Sequence, residues 1–272
     1  MSRDSFGKIQ LDDVQIAYRR MGTGRPLLVL NGFAATSADW DPWFIEALAS
    51  SNELILLDNR GLGSSSDNGL PFEIAQLADD TVRIVDGLGI ERPSLLGWSM
   101  GGFIAQTVGM QHPTRINKLV LLSSDPGGAE ADLAPAEVWS QLTDTSGTPH
   151  EQARRLLFLL FPSAVAESIY RKFGDIVAAA RARLSADLVN RQVAAMKTWH
   201  RDGVSSLLRA MKLPVLVATG TADQVIPPSN ALKLVNAIPG AWLAQFKGGG
   251  HAFMAQYPQA LADLINNFLK LG

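Results

Sequence analysis

Gly97-Trp98-Ser99-Met100-Gly101-Gly102 stands between the apolar run Pro93-Ser94-Leu95-Leu96 and the helix-like run Phe103-Ile104-Ala105-Gln106-Thr107-Val108. The order is strand, G-x-S-x-G, helix. Glycines on both sides of a serine at such a junction suit a turn too tight for flanking side chains. The turn presents the Ser99 hydroxyl at the end of a sheet, beside the positive end of the helix that follows. Taken alone the pattern also fits an ordinary glycine-rich turn, so its surroundings decide.

Outward from this turn, strands and helices alternate. Leu27-Leu28-Val29-Leu30, Leu54-Ile55-Leu56-Leu57, Leu119-Val120-Leu121-Leu122 and Val215-Leu216-Val217-Ala218 are unbroken apolar runs, as expected of parallel strands buried on both faces. Between them Ile74, Leu77, Ala78, Thr81, Val82, Ile84 and Val85 make one apolar face at the helical period. Residues 105–110 make another, and a last helix runs through Leu261, Leu264, Ile265 and Phe268. Residues 8–11 and 14–18 alternate around Asp12-Asp13 and read as a hairpin. The class predicted is α/β, with a mostly parallel central sheet and helices on both faces.

From Asp125 to Met211 the rhythm breaks. No convincing strand occurs, Pro126, Pro135, Pro149 and Pro162 punctuate the stretch, and helices are predicted over 153–161, 164–173 and 186–199. The expected organisation is a core of residues 1–124 and 212–272, with 125–211 as a helical cap inserted after the sixth strand.

Composition narrows the function classes. Of 272 residues 47% are hydrophobic and 18% charged, enough for a substantial core. A net charge of −2 argues against nucleic-acid or anionic-membrane partners. The lack of cysteine excludes disulfides, thiol nucleophiles and cysteine-ligated metals. Met1-Ser2-Arg3-Asp4-Ser5-Phe6 has no apolar core like that of a signal peptide. The apolar run at 156–161 is far too short to span a bilayer. No clustered ligands or phosphate-binding fingerprint call for a metal or cofactor. The expectation is a cytoplasmic monomer or homodimer acting on a small molecule.

A serine hydroxyl needs a base to take its proton and a third group to orient that base. Four histidines are available. His112 lies near the end of the helix after Ser99, several turns away, and His150 and His200 fall in the predicted cap. His251 follows Lys247-Gly248-Gly249-Gly250, between the apolar strand at 242–246 and the last helix. That glycine run allows the loop to bring a side chain back over the sheet edge. Asp223, in Thr219-Gly220-Thr221-Ala222-Asp223, fits best as the acid because it follows a strand end between serine and histidine in the chain. Asp125, after the preceding strand, is its rival. Donors for a tetrahedral oxyanion are expected from the amides of Met100 and Phe33, the latter in the loop Asn31-Gly32-Phe33-Ala34-Ala35-Thr36.

With these marks in place the chain resembles the α/β-hydrolase superfamily along nearly its whole length. The resemblance rests on Asn31-Gly32, the elbow at Ser99, Gly220-Thr221-Ala222-Asp223, Gly250-His251 and Asp58-Asn59-Arg60-Gly61-Leu62-Gly63-Ser64-Ser65. The last is similar to a D-x-R-G-x-G-x-S loop frequent in the superfamily and is read as scaffold. Many relatives carry His-Gly where this chain has Asn31-Gly32, which leaves Asn31 to contact substrate or brace the loop. Within the superfamily the chain looks most similar to enol-lactonases, small carboxylesterases and cofactor-free haloperoxidases or perhydrolases. An aspartate at the elbow would be expected of dehalogenases and epoxide hydrolases, and Ser99 argues against those.

The resemblance implies an ester or lactone hydrolase working through an acyl-enzyme on Ser99. Hydrolysis of a carbon–carbon bond, perhydrolysis, and service as a hydrolase-like small-ligand sensor are the alternatives on the same groups. Candidate substrate contacts are Asn31, Trp98, Phe158 and Trp199, with Leu156, Leu159 and Phe161 as further apolar walls. No basic cluster marks a strongly anionic substrate, and Arg154 and Arg155 are read as lying on a solvated helix face.

Overall fold

The computed structural model describes residues 4–271. Eight strands form one sheet: β1 (Ser5–Gln10), β2 (Gln15–Gly22), β3 (Arg25–Leu30), β4 (Asn52–Leu57), β5 (Ser94–Trp98), β6 (Leu119–Leu122), β7 (Val215–Gly220) and β8 (Trp242–Phe246). Their spatial order is β1-β2-β4-β3-β5-β6-β7-β8. β1 and β2 pair antiparallel with each other, and β2 pairs antiparallel with β4. From β4 to β8 every pairing is parallel. The apolar runs read from the sequence are these parallel strands. Leu27, Leu28, Leu54, Ile55, Leu95, Leu96, Val120 and Leu121 have no exposed surface. Strands covered on both faces gain from being apolar at every position rather than every second one.

Helices α1 (Pro42–Ala49), α2 (Ile74–Gly87), α3 (Met100–Gln111), α9 (Ser229–Ala237) and α10 (Pro258–Lys270) accompany the strands. One apolar cluster joins α2, α3 and α9 to one face of the sheet; a second joins α1 and α10 to the other. Between β6 and β7 the described residues contain no strand. They form α4 (Ala136–Thr143), α5 (Pro149–Leu160), α6 (Ser163–Arg181), α7 (Ala186–Asp202) and α8 (Ser205–Leu208). The helix predicted over 164–173 runs on to Arg181, because Ala178, Ala179 and Ala180 continue a sequence of good helix formers. α5 starts at a reciprocal cap: Thr148 accepts from the Glu151 amide while the Glu151 side chain returns to the Thr148 amide.

Parallel strands all end at the same edge. β3, β5, β7 and β8 therefore deliver the loops bearing Phe33, Ser99, Asp223 and His251 to one side of the molecule, the side where parallel α/β sheets place their sites.

Candidate active site

Ser99 sits between β5 and α3 with φ +56° and ψ −122°, a left-handed conformation rare for a residue with a side chain. The Ser99 amide donates to Leu122 O at 2.9 Å and Gly102 N donates to Ser99 O at 2.8 Å, which locks the turn. The flanking glycines are sterically required. A Cβ on Gly97 would lie 2.2 Å from Gly101 O, and one on Gly101 would lie 2.2 Å from Leu30 O.

Asp223 and His251 come from loops after the adjacent strands β7 and β8. Those loops are stitched together by Ala222 N donating to Gly249 O at 2.8 Å and Gly248 N donating to Thr221 Oγ1 at 2.8 Å. His251 Nδ1 lies 2.8 Å from Asp223 Oδ2. The other carboxylate oxygen, Oδ1, accepts from Val225 N and Ile226 N, both at 2.9 Å. An ionised carboxylate only accepts, so Nδ1 carries the proton and Nε2 is left as the basic nitrogen. Trp98 Nε1 donates to His251 O at 3.0 Å, tying the histidine loop to the elbow. Ser99 and His251 line the same cavity, and Ser99, Asp223 and His251 are all buried.

The rival acid is engaged elsewhere. Asp125 accepts from Gly127 N at 2.8 Å and Trp199 Nε1 at 3.1 Å, and its Oδ2 lies 3.3 Å from His200 Nε2. It fastens α7 to the end of β6.

Neither the Phe33 amide nor the Met100 amide donates to another group among the described residues. Met100 is the first residue of α3, so its amide has no helical partner. Phe33 lines the cavity.

The cavity holds about 670 Å³, within the range of small-molecule sites. The sheet side contributes Phe33, Trp98, Ser99 and His251. The helices between β6 and β7 contribute Leu156, Leu157, Leu160, Phe161, Ile169, Phe173 and Val177. Trp98 thus stands where the sequence suggests. Asn31, Phe158 and Trp199 do not. Asn31 is fully buried, donating to Leu57 O at 2.6 Å and accepting from Trp40 Nε1 at 2.6 Å, so it braces the loop. Trp199 stacks on Phe103 at 4.9 Å and lines a separate hollow of about 180 Å³ behind α2 and α3. Phe158 packs under Arg154, whose guanidinium stands 4.5 Å from its ring centre. Leu159, next in the chain, joins the core cluster. α5 turns Leu156, Leu157 and Leu160 inward, and these neighbours are left to other faces.

The scaffold loop behaves as read. Arg60 makes a two-pronged bond to Asp80, both contacts at 2.8 Å, and reaches Asp13 at 3.1 Å. Asp58 accepts from Ser37 N at 2.7 Å and Ser64 N at 3.1 Å.

Six charged residues line the cavity, Arg19, Asp39, Asp41, Glu46, Lys172 and Arg181, and none was singled out from the sequence. Arg181, at the end of α6, is buried and lines the cavity. Burial, with Arg155 nearby, disfavours its charge, and Asp39 offsets part of that. Asp39 is solvent-exposed on the cavity, yet desolvation by the protein around it holds its carboxyl above the usual range, against bonds from Thr36. A readable signal existed for Arg181. Ile169, Phe173, Ile176, Val177, Ala180 and Leu184 follow a three-and-four spacing, and Arg181 falls on that apolar stripe.

Among the described residues no helix is long and apolar enough to cross a membrane. The model of the α/β-hydrolase fold family matches residues 25–256. A RutD protein of Azorhizobium caulinodans, provisionally named a carbamate hydrolase, is 28% identical over 94% of this chain and 95% of its own length. The 2-hydroxy-6-oxo-6-phenylhexa-2,4-dienoate hydrolase of Comamonas testosteroni is 28% identical over 97% of this chain and 96% of its own. Among solved structures, a hydrolase from Pseudomonas aeruginosa superposes with a TM-score of 0.82 at 26% identity, covering 98% of each chain. With the fold, the elbow and the match extending over most of its length, the chain belongs to the α/β-hydrolase fold family.

Proposed function

We infer that this protein hydrolyses a carboxylic ester or lactone through an acyl-enzyme on Ser99. Membership in the family supports a hydrolase; the choice of bond rests on the site. The observation that carries the reading is the Asp223–His251 pair at 2.8 Å, whose imidazole lines the same cavity as a serine held in a strained turn.

His251 Nε2 takes the Ser99 proton as Oγ attacks the substrate carbonyl carbon, and the carbonyl π pair moves onto oxygen. The amides of Phe33 and Met100 hold that oxyanion. As the carbonyl re-forms, the bond to the leaving alkoxide breaks and His251 gives the proton to it. A water molecule, deprotonated by the same imidazole, attacks the acyl-enzyme and releases the acid with Ser99 restored. Asp223 stays ionised and stabilises the imidazolium. The helices between β6 and β7 serve as a cap whose inward leucines and aromatics receive the apolar part of the substrate.

The test is a panel of p-nitrophenyl esters and lactones. A burst of p-nitrophenol equal to the enzyme concentration, followed by slower turnover, is expected of an acyl-enzyme. Unchanged ester turnover by Ser99→Ala would refute the proposal.

A further inference from the structure

We propose that the substrate carries a carboxylate and that Arg181 binds it inside the cavity, away from the reacting carbonyl. The proposal rests on the reading of Ser99 and His251 just given and adds the substrate class.

Three buried arginines can be compared. Arg60 is saturated by Asp80 and Asp13. Arg191 is saturated by Asp67 and Asp187. Arg181 is as buried as Arg191, at 8% against 9% exposure, yet among the described residues no carboxylate lies within 4.0 Å of its guanidinium. Among the described residues the guanidinium makes one hydrogen bond, from Nε to Gln152 Oε1 at a long 3.4 Å. Gln152 is held in that orientation because its amide nitrogen donates to Thr145 O and Gly147 O. A guanidinium has five N–H donors, and the nitrogens of Arg181 are not among the fully enclosed polar atoms without a partner, so its free donors open onto the cavity. What Arg181 faces is the cavity that holds Ser99.

The chemistry of the ligand follows from the group. A planar fork of N–H donors matches a carboxylate two-to-two. The charges facing Arg181 are Arg155 on α5 and Asp39 on the loop after β3. Asp39 is tied to Thr36 N at 2.6 Å and Thr36 Oγ1 at 2.8 Å, which keeps it as a distant counter-charge rather than a partner. The walls between are apolar, Phe33, Leu157, Phe161 and Val177 among them. They fit a short hydrocarbon spacer with an ester or lactone carbonyl at one end and a carboxylate at the other.

The test measures binding and needs no turnover. Calorimetry on the Ser99→Ala protein at neutral pH compares monomethyl adipate, an anion, with dimethyl adipate, its neutral counterpart. The anion is expected to bind on the order of tenfold to hundredfold more tightly. Arg181→Met is expected to cut that advantage to about threefold or less, and Arg181→Lys to keep part of it. Equal binding of the two esters by Ser99→Ala, or no detectable anion binding at millimolar concentration, overturns the proposal without any substitution at Arg181. So does an advantage that survives in folded Arg181→Met. Failure of the hydrolase reading would show separately, as loss of the burst with these binding ratios intact.

Discussion

His251 Nδ1 and Asp223 Oδ2 stand 2.8 Å apart on loops that follow neighbouring parallel strands, and their side chains are nearly closed to solvent. The second Asp223 oxygen is occupied by two backbone amides, so the carboxylate cannot swing away from the imidazole. The proton on Nδ1 and the basic lone pair on Nε2 are therefore fixed before substrate arrives.

That relationship separates the two candidate acids. Asp223→Asn would offer Nδ1 a donor or the wrong tautomer, and kcat for a p-nitrophenyl ester is expected to fall on the order of 10⁴-fold, as in other serine triads. Asp125→Asn touches neither His251 nor the cavity. Its kcat is expected to stay within about threefold, while weaker bonds to Trp199 and His200 lower unfolding stability by about 1–3 kcal/mol. Steady-state kinetics and urea melts on both variants check the assignment.

The elbow glycines are a steric requirement. In Gly101→Ala the new methyl would stand 2.2 Å from Leu30 O, pressing the first turn of α3 against the buried end of β3. The variant is expected to lose about 3 kcal/mol or more, or to fail to fold. A urea midpoint close to wild type would contradict the geometry.

Trp199 tests whether cavity and core have been told apart. Trp199→Phe keeps the stack on Phe103 but removes the donor to buried Asp125. The expected outcome is a loss of about 1–3 kcal/mol in stability with KM unchanged across an ester series. A chain-length-dependent shift in KM would instead place Trp199 at the substrate.

Acid should loosen the helices between β6 and β7 from the core. Arg191 on α7 reaches Asp67, in the loop between β4 and α2, and its guanidinium holds that carboxyl below the usual range. A carboxyl depressed in the folded state contributes its stability above its unfolded value of 3.8 and loses it as pH falls through the folded one. The stability difference between wild type and Asp67→Asn is expected to be flat between about pH 5 and 7 and to shrink below about pH 4. A difference that stays constant through the acid range would contradict the coupling.

Much of this was legible in the sequence for local reasons. Strands buried on both faces, such as β3, β4 and β6, announce themselves as unbroken apolar runs, and the predicted edge strand 242–246 matches β8 residue for residue although it is largely exposed. The elbow is legible because backbone crowding admits only glycine two positions either side of Ser99, at Gly97 and Gly101. Chain order and a glycine run pointed to His251 and Asp223. The pocket was less legible. Composition marks Phe158 and Trp199 as apolar but not which way α5 and α7 face, and that phase is set by packing against the core. Asn31 shows the same limit, since its partners Leu57 and Trp40 are distant in sequence. Residue type does not mark Arg181, since arginines mostly lie exposed, although its position on an apolar stripe carries the signal.

The most direct test of the central claim is labelling with a fluorophosphonate, followed by location of the adduct by mass spectrometry. A single adduct on Ser99 is expected, abolished in denatured protein and greatly slowed in His251→Ala. Labelling confined to another serine, or none on folded protein, would contradict the account.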